Sequence, residues 1–175
     1  MSNVRIESDS IGTMEVPADA YYGVQTLRGY LTFHITGNRM HDMQINMLAA
    51  LKKASAYANN RAGILDRTIC DAIIQACDEI MDGKLHDQFI VDPIQGGAGT
   101  SANMNANEVI ANRAIEILGG EKGDYSIVHP NDHVNMSQST NDIYPSSGKL
   151  AALALIPPLL EELHRLNAAL LDKAK

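Results

Sequence analysis

Residues 95–107 have the sequence Gln95-Gly-Gly-Ala-Gly-Thr-Ser-Ala-Asn-Met-Asn-Ala-Asn107. The three glycines permit backbone conformations that other residues disfavour, so the stretch is predicted to begin as a loop. A helix is predicted to follow, yet four asparagines fall between positions 103 and 112. Asparagine is a mediocre helix former and is costly to bury without partners. Hydrophobic packing alone therefore does not explain this part of the chain.

A second polar cluster covers residues 129–142, with the sequence His129-Pro-Asn-Asp-His-Val-Asn-Met-Ser-Gln-Ser-Thr-Asn-Asp142. Neither cluster contains Gly-x-Ser-x-Gly or a cysteine beside a base, so a covalent nucleophile is not indicated. Together they supply neutral hydrogen-bond donors, which are Thr100, Ser101, Ser139, Thr140 and Asn141. Such donors bind carboxylates, particularly beside a helix N-terminus. Spacing alone leaves two hypotheses open: an anion-binding site, or a polar seam between helices whose amides are satisfied.

A dinucleotide site is a weaker interpretation of the glycines. Gly97-Ala-Gly99-Thr-Ser-Ala102 matches the degenerate pattern G-x-G-x-x-A, and Glu116 lies about where a ribose-binding acid would. Such a site also needs a complete strand before the glycines and a βαβ setting. Here Asp92-Pro93 ends the short apolar run that precedes the glycines, so the sequence argues against this function.

A metal site is also a weak interpretation. His129 and His133, with Asp132 between them, have a spacing that brings metal ligands together only on a helix. Pro130 opposes a helix at this position. We therefore expect histidines that make local hydrogen bonds, and no metal site.

Outside the two clusters the hydrophobic pattern is mainly helical. Weak alternation over residues 4–16 predicts a small β hairpin. Helices are predicted over 44–60, where Lys52 falls off the apolar stripe, and over 66–81, with Asp66 as N-cap and Gly83 just past the end. A third helix ends near Leu118 and is capped either by Ser101 or by a capping box of Asn105 and Glu108. A Leu/Ala-rich helix follows over 143–175, with a kink or break expected at Pro157-Pro158.

Composition limits the class of protein. The chain has 175 residues, is 45% hydrophobic and carries a net charge of −7, so we expect no nucleic-acid partner. It has no long apolar run, so no membrane partner is expected. Cys70 and Cys77 lie about 10 Å apart along one predicted helix, which is beyond disulfide reach. Buried, reduced thiols and a cytoplasmic location are the simplest expectation.

The two clusters, with the N-terminal sequence, resemble the aspartase/fumarase superfamily. The resemblance covers essentially the whole chain, and its long motifs make it specific. It is carried by Arg5-Ile-Glu7-x-Asp9-x-x-Gly12, Val16-Pro-Ala-Asp-Ala-Tyr-Tyr-Gly-Val-Gln-Thr-Leu-Arg28, Asn103-Met-Asn-x-Asn-Glu108-Val-Ile-Ala-Asn112 and Ser137-Gln-Ser-Thr-Asn-Asp142. Gln95-Gly-Gly-Ala-Gly-Thr-Ser101 is the aspartase form, where fumarases usually have Gln-Thr-Gly-Ser-Gly-Thr-Gln. Ser139-Thr140-Asn141 likewise replaces the fumarase Ser-Ser-Asn.

The resemblance implies a fold, an activity and a set of residues. The implied fold is mainly α: an N-terminal domain over 1–142 with a small β hairpin, then the start of a long central helical bundle over 143–175. The implied reaction is reversible elimination of ammonia from L-aspartate to give fumarate, without a metal or organic cofactor. The implied binding residues for the substrate carboxylates are Thr100, Ser139, Thr140 and Asn141. His129, Asn131 and Asp132 match a second anion site of the fumarase branch.

The resemblance also implies what these 175 residues lack. The catalytic base is expected to be a serine in a mobile Gly-Ser-Ser-x-Met-Pro-x-Lys-x-Asn loop, which does not occur in the chain. Active sites of the superfamily combine residues from three subunits of a homotetramer. We therefore expect an N-terminal portion that is inactive alone and self-associates. A fumarase or another fumarate-releasing lyase, and a non-catalytic assembly module, remain alternatives.

Overall fold

A computed structural model describes residues 3–175 and confirms the predicted hairpin. Strands β1 (Val4–Asp9) and β2 (Gly12–Pro17) pair antiparallel, with Arg5 opposite Val16. The turn is closed by Asp9 Oδ1, which accepts hydrogen bonds from the backbone N–H of Ile11 at 3.0 Å and Gly12 at 3.1 Å. Gly12 has φ +143°, a conformation that favours glycine.

Five α-helices make up most of residues 3–175, so the expectation of a mainly α fold is confirmed. Their bounds are α1 Val24–Thr32, α2 Asp42–Arg61, α3 Arg67–Met81, α4 Thr100–Ile117 and α5 Thr140–Lys173. A short 3₁₀ helix covers His86–Gln88, and a π-helical turn covers Pro130–Val134. Helix α1 was not predicted from the sequence. The predicted domain division at 142/143 falls inside the first turn of α5 and remains a prediction.

Helix α4 lies at the centre of the core. Twelve of its eighteen residues are buried, whereas the outer helices bury one face each. It packs against α1, α2, α3 and α5, and apolar side chains such as Leu48, Ile73 and Ile110 fill the space between the helices. Burying each of these side chains contributes about 2 kcal/mol relative to leaving it in water. The central position of α4 fixes its N-terminus relative to the other helices.

The predictions for α3 are confirmed at both ends. Asp66 Oδ1 accepts hydrogen bonds from the backbone N–H of Thr68 at 2.8 Å and Ile69 at 3.2 Å, as an N-cap should. Gly83 follows the helix with φ +89°. Cys70 and Cys77 are free and buried on this helix, also as predicted. Burial raises the pKa of the Cys77 thiol to about 12, which keeps it protonated and inert.

Both capping predictions for α4 are wrong. The helix begins at Thr100 after Gly99, whose φ is +85°, and Gln95 Oε1 accepts from the N–H of Ala102 at 2.8 Å. Glu108 does not cap its own helix. Its carboxylate instead accepts from backbone N–H groups at the start of α1, at Gly23 (2.8 Å) and Thr26 (3.0 Å). Glu108 thus binds the start of a helix that is distant in the sequence, and the local sequence around Glu108 does not indicate this partner.

Helix α5 continues through Pro157 and Pro158, so there is no break at these residues, and a kink there remains a prediction. Each proline removes one helical hydrogen bond, and the helix is exposed in this region, where water can satisfy the freed carbonyls. The second half of α5 exposes a row of apolar side chains that includes Leu159, Leu163, Leu166 and Leu170. No helix within residues 3–175 combines the length and the hydropathy needed to cross a bilayer.

Candidate functional site

The N-termini of α4 and α5 meet, which brings together the two polar clusters predicted from the sequence. Thr100 is the first residue of α4, and Ser139 and Thr140 are the N-cap and first residue of α5. The contact is made by Asn103, whose Nδ2 donates to Thr140 Oγ1 at 2.9 Å. Helix N-termini carry positive partial charge, so two of them side by side favour a negatively charged ligand.

The glycine-rich loop lies directly against α5. A methyl group on Gly99 would come within 2.1 Å of Tyr144 Cδ1, and its φ of +85° independently favours glycine. The loop at Gly97–Gly99 and Tyr144, Pro145 and Gly148 of α5 line a cleft of about 380 Å³. Glycine at position 99 thus lets the backbone before Thr100 approach α5 closely.

The predicted hydroxyl and amide donors are accessible. Thr100, Ser139 and Asn141 are exposed and Thr140 is half-buried. Ser139 Oγ accepts from the N–H of Asn141 at 3.2 Å, which leaves its proton free to donate elsewhere. Among residues 3–175, no protein partner is recorded for the hydroxyl of Thr100 or the side-chain amide of Asn141. These groups can donate hydrogen bonds to a carboxylate.

The asparagines of α4 have a different role from the hydroxyls. Asn105 Nδ2 donates to the backbone oxygen of Gln88 at 2.9 Å, and Asn112 Nδ2 donates to that of Tyr21 at 2.8 Å. Asn112 Oδ1 also accepts from the N–H of Gly123 at 2.7 Å. Asn105 and Asn112 therefore bind the short 3₁₀ helix and two loops, and they do not form the polar seam between helices that was the alternative hypothesis. The hydroxyls near the start of α4 remain free to donate.

The prediction that Lys52 lies off the apolar face of α2 is wrong, because this side chain is fully buried. Its Nζ donates to Asn135 Oδ1 at 2.8 Å and to Gln138 Oε1 at 2.9 Å, just before the start of α5. Burial lowers its pKa from 10.5 to about 7. The hydrophobic pattern of α2 could not predict the burial of Lys52, because the residues that accept its hydrogen bonds lie more than eighty residues away in the sequence.

Replacing Lys52 with methionine is expected to remove a pH dependence of the free energy of unfolding. With a pKa of 10.5 unfolded and about 7 folded, Lys52 binds more protons in the unfolded chain between those pH values. Its contribution to stability therefore rises with pH across that interval, by up to about 1.4 kcal/mol per pH unit. Below pH 7 both states are protonated, and the cost of the buried charge is fully present. Urea unfolding at several pH values measures the slope.

The matched control is Lys53→Met, which removes a lysine that is partly exposed and paired with Asp78. This variant should keep the pH slope of the wild type. Cys77, which also faces Lys52, is present in the wild type and in both variants, so its own contribution to the pH dependence is common to all three proteins. If the free energy of unfolding changed with pH equally in the wild type and in Lys52→Met, the prediction would be wrong.

The second predicted cluster, His129, Asn131 and Asp132, forms the start of the π-helical turn. His129 Nδ1 accepts from the N–H groups of Asn131 at 3.2 Å and Asp132 at 3.1 Å. His133 Nδ1 accepts from the N–H of His129, and burial lowers the pKa of His133. The expectation of local hydrogen bonding for both histidines is confirmed.

His129 and Asn131 also line a cleft of about 270 Å³ with Asp9, Gln25 and Glu108. Asp132 does not line this cleft; its carboxylate is exposed and lies 3.3 Å from His129 Nδ1. Asp9 is paired with Arg28 at 2.8 Å, so its charge is largely compensated. Within residues 3–175, no three His, Cys, Asp or Glu side chains are grouped as metal ligands. An anion role for this cleft remains a prediction.

Comparison with known sequences gives a consistent result. The sequence model of a family described as "Lyase" matches residues 12–175. The chain is 54% identical over 173 residues to an aspartate ammonia-lyase of a Bacillus species, and 47% identical over 176 residues to that of Escherichia coli strain K12. Each match covers 99% of this chain and 37% of the relative. The chain thus spans little more than a third of the length of these relatives.

Solved structures agree with the fold. A fumarate lyase:delta crystallin from Brucella melitensis superposes with a TM-score of 0.93 at 51% identity, over 95% of this chain and 39% of that one. A class II fumarase from Schistosoma mansoni superposes with a TM-score of 0.81 at 38% identity, over 85% of this chain and 32% of the fumarase. The N-terminal fold expected from the sequence is confirmed by both.

Proposed function

The chain belongs to the lyase family, in the aspartase/fumarase superfamily, and on this premise we propose that it acts as the N-terminal portion of an aspartate ammonia-lyase. In this proposal the whole protein eliminates ammonia reversibly from L-aspartate to give fumarate. The adjoining N-termini of α4 and α5, with Thr100, Ser139, Thr140 and Asn141 beside them, carry the proposal. Identities of 47% and 54% to aspartate ammonia-lyases support this activity over that of the fumarase, at 38%.

In the proposed reaction these four residues stabilise the negative charge on the substrate carboxylate and do not remove the proton. Removal of a proton from Cβ of L-aspartate places a second negative charge on the adjacent carboxylate before the amine leaves. Fixed hydroxyl and amide donors stabilise that charge more strongly than they stabilise the ground state, which lowers the barrier. We propose that the group that takes the proton lies outside these 175 residues, so the isolated chain binds without turning over.

The proposed assembly is a homotetramer in the cytoplasm. The apolar row on α5 supports self-association, because Leu159, Leu163 and Leu166 lie in the C-terminal part of this helix, where every residue from 155 to 175 is exposed. The two free, buried cysteines are consistent with a reducing compartment. Burial of the leucine row against neighbouring helices would remove a surface that water solvates poorly.

Fumarate formation from L-aspartate tests the proposal. We expect the whole protein to release fumarate from L-aspartate but not from L-malate, and the 175-residue chain to release none from either. Light scattering on the active sample gives its mass, expected at four chains. Turnover of L-malate by the whole protein would favour the fumarase alternative. Inactivity of the whole protein on both substrates would leave the assembly module as the better interpretation.

A further inference from the structure

Asn103 occupies a buried position between the two helix N-termini. It lies in the first turn of α4 and is 1% exposed. Its Nδ2 donates both to Asn135 Oδ1 at 3.1 Å and to Thr140 Oγ1 at 2.9 Å. Because an amide has a donor side and an acceptor side, the orientation of Asn103 decides which role the Thr140 hydroxyl takes.

Neighbouring groups fix that orientation. Asn135 Nδ2 donates to the backbone oxygen of Gln138 at 3.2 Å, and a carbonyl can only accept, so Asn135 Oδ1 must face the other way. There it accepts from Lys52 Nζ at 2.8 Å and from Asn103. An amide oxygen cannot donate, so Asn103 has to present its Nδ2 to Asn135 and, with the same group, to Thr140.

Lys52 further stabilises the orientation of the Asn135 side chain. Gln138 Nε2 donates to the backbone oxygens of Val134 at 2.8 Å and Met136 at 3.2 Å, which turns Gln138 Oε1 towards Lys52. Both acceptors of Lys52 are therefore held by backbone carbonyls as well as by the lysine. The buried lysine thus holds the side-chain amides of Asn135 and Gln138 in fixed orientations, and the orientation of Asn135 determines that of the Asn103 amide.

The orientation has a measurable cost. Asn103 Oδ1 is buried and has no hydrogen-bond partner. A buried acceptor without a partner destabilises the folded chain by the energy of the hydrogen bonds that it made with water. Turning the amide over would not recover that energy, because it would place two oxygens, those of Asn103 and Asn135, against each other. Asn103 is therefore locked with its donor side towards Thr140.

From this we infer that Asn103 is a positioning residue that commits the Thr140 hydroxyl to donate its proton to a bound carboxylate. Thr140 Oγ1 already accepts from Asn103, and within residues 3–175 no acceptor is recorded for its own proton. The hydroxyl is half-buried at the start of α5, where a ligand can reach it. The inference rests on the proposed function, since it specifies how one of the proposed carboxylate donors is oriented.

A double-mutant cycle in the whole protein tests the inference. Asn103→Ala is expected to lower kcat/KM for L-aspartate about 10-fold, the effect of one hydrogen bond that is no longer aligned. In a Thr140→Val background, which lacks the hydroxyl, the same change should alter kcat/KM less than about 2-fold. Thr140→Ser restores the hydroxyl, so the 10-fold sensitivity to Asn103→Ala should return.

Asn103→Asp provides a second test if the alanine variant folds poorly. It keeps the size of the side chain, but its carboxylate can only accept hydrogen bonds. It would therefore accept a hydrogen bond from the Thr140 hydroxyl, which could then no longer donate to the substrate, and kcat/KM should fall at least as much. In the wild-type chain, nuclear Overhauser contacts should join the Asn103 side-chain amide protons to the Thr140 side chain. Their absence would overturn the inference, as would equal losses from Asn103→Ala with and without the Thr140 hydroxyl. Failure of the proposed function is recognised separately, from an inactive wild-type protein.

Discussion

Gly99→Ala is expected to lower kcat/KM of the whole protein for L-aspartate by at least about 100-fold. The new methyl group would lie 2.1–2.4 Å from three ring atoms of Tyr144, closer than any two unbonded atoms remain. Either the loop or α5 must move, and Thr100 follows Gly99 directly. Displacing a binding group by about 1 Å is enough for a loss of this size. Steady-state kinetics on the purified variant measure it.

Gly97→Ala is the matched control for that substitution. Gly97 has a similar φ of +71°, but a methyl group there would meet only Thr100 Oγ1, at an ordinary contact distance of 3.4 Å. Both variants incur the conformational cost of a left-handed alanine, about 1–2 kcal/mol. Only Gly99→Ala meets the Tyr144 ring, so combining it with Tyr144→Leu should recover part of the activity. Equal losses in the two alanine variants would show that backbone conformation, not the approach to α5, matters here.

The parts of the fold that follow local rules were predictable from the sequence. Helix α3 has apolar residues at regular helical spacing, an aspartate cap and a terminal glycine, and all three predictions are confirmed. The hairpin followed from its alternation and its turn residues. The two polar clusters were also identified in advance, because their composition does not suit a core. What they bind remains a proposal.

The features that depend on distant partners were not predictable. Helix α1 is only nine residues long and includes Gly29, and its N-terminus is satisfied by Glu108 from a helix more than eighty residues later. Lys52 is buried because Asn135 and Gln138 supply oxygens to it, and nothing near position 52 indicates them. In each case an ionisable side chain is buried because the fold brings polar groups to it. Hydrophobic periodicity carries no information about such pairs.

The same dependence on a distant partner makes Glu108 the residue whose loss should most reduce stability. It is 1% exposed, and its two carboxylate oxygens accept four hydrogen bonds: from the N–H groups of Gly23, Gln25 and Thr26 and from the Thr26 hydroxyl. Burial raises the pKa of Glu108, and the hydrogen bonds from Thr26, Gln25 and Gly23 oppose that rise. The carboxylate therefore attaches α1 to the central helix.

Glu108→Ala is expected to lower the free energy of unfolding by at least about 3 kcal/mol, because buried donors at the start of α1 lose their acceptor and each costs about 1–3 kcal/mol. Glu108→Gln should cost less, since its oxygen can replace Oε2 and retain three of the four bonds, while its NH₂ group faces the N–H of Gln25. Glu121→Ala, at an exposed glutamate after α4, should change stability by less than about 0.5 kcal/mol. Urea unfolding of the 175-residue chain gives all three values. If Glu108→Ala and Glu121→Ala were equally mild, water would have to reach the N-terminus of α1, and Glu108 could not be what holds that helix in place.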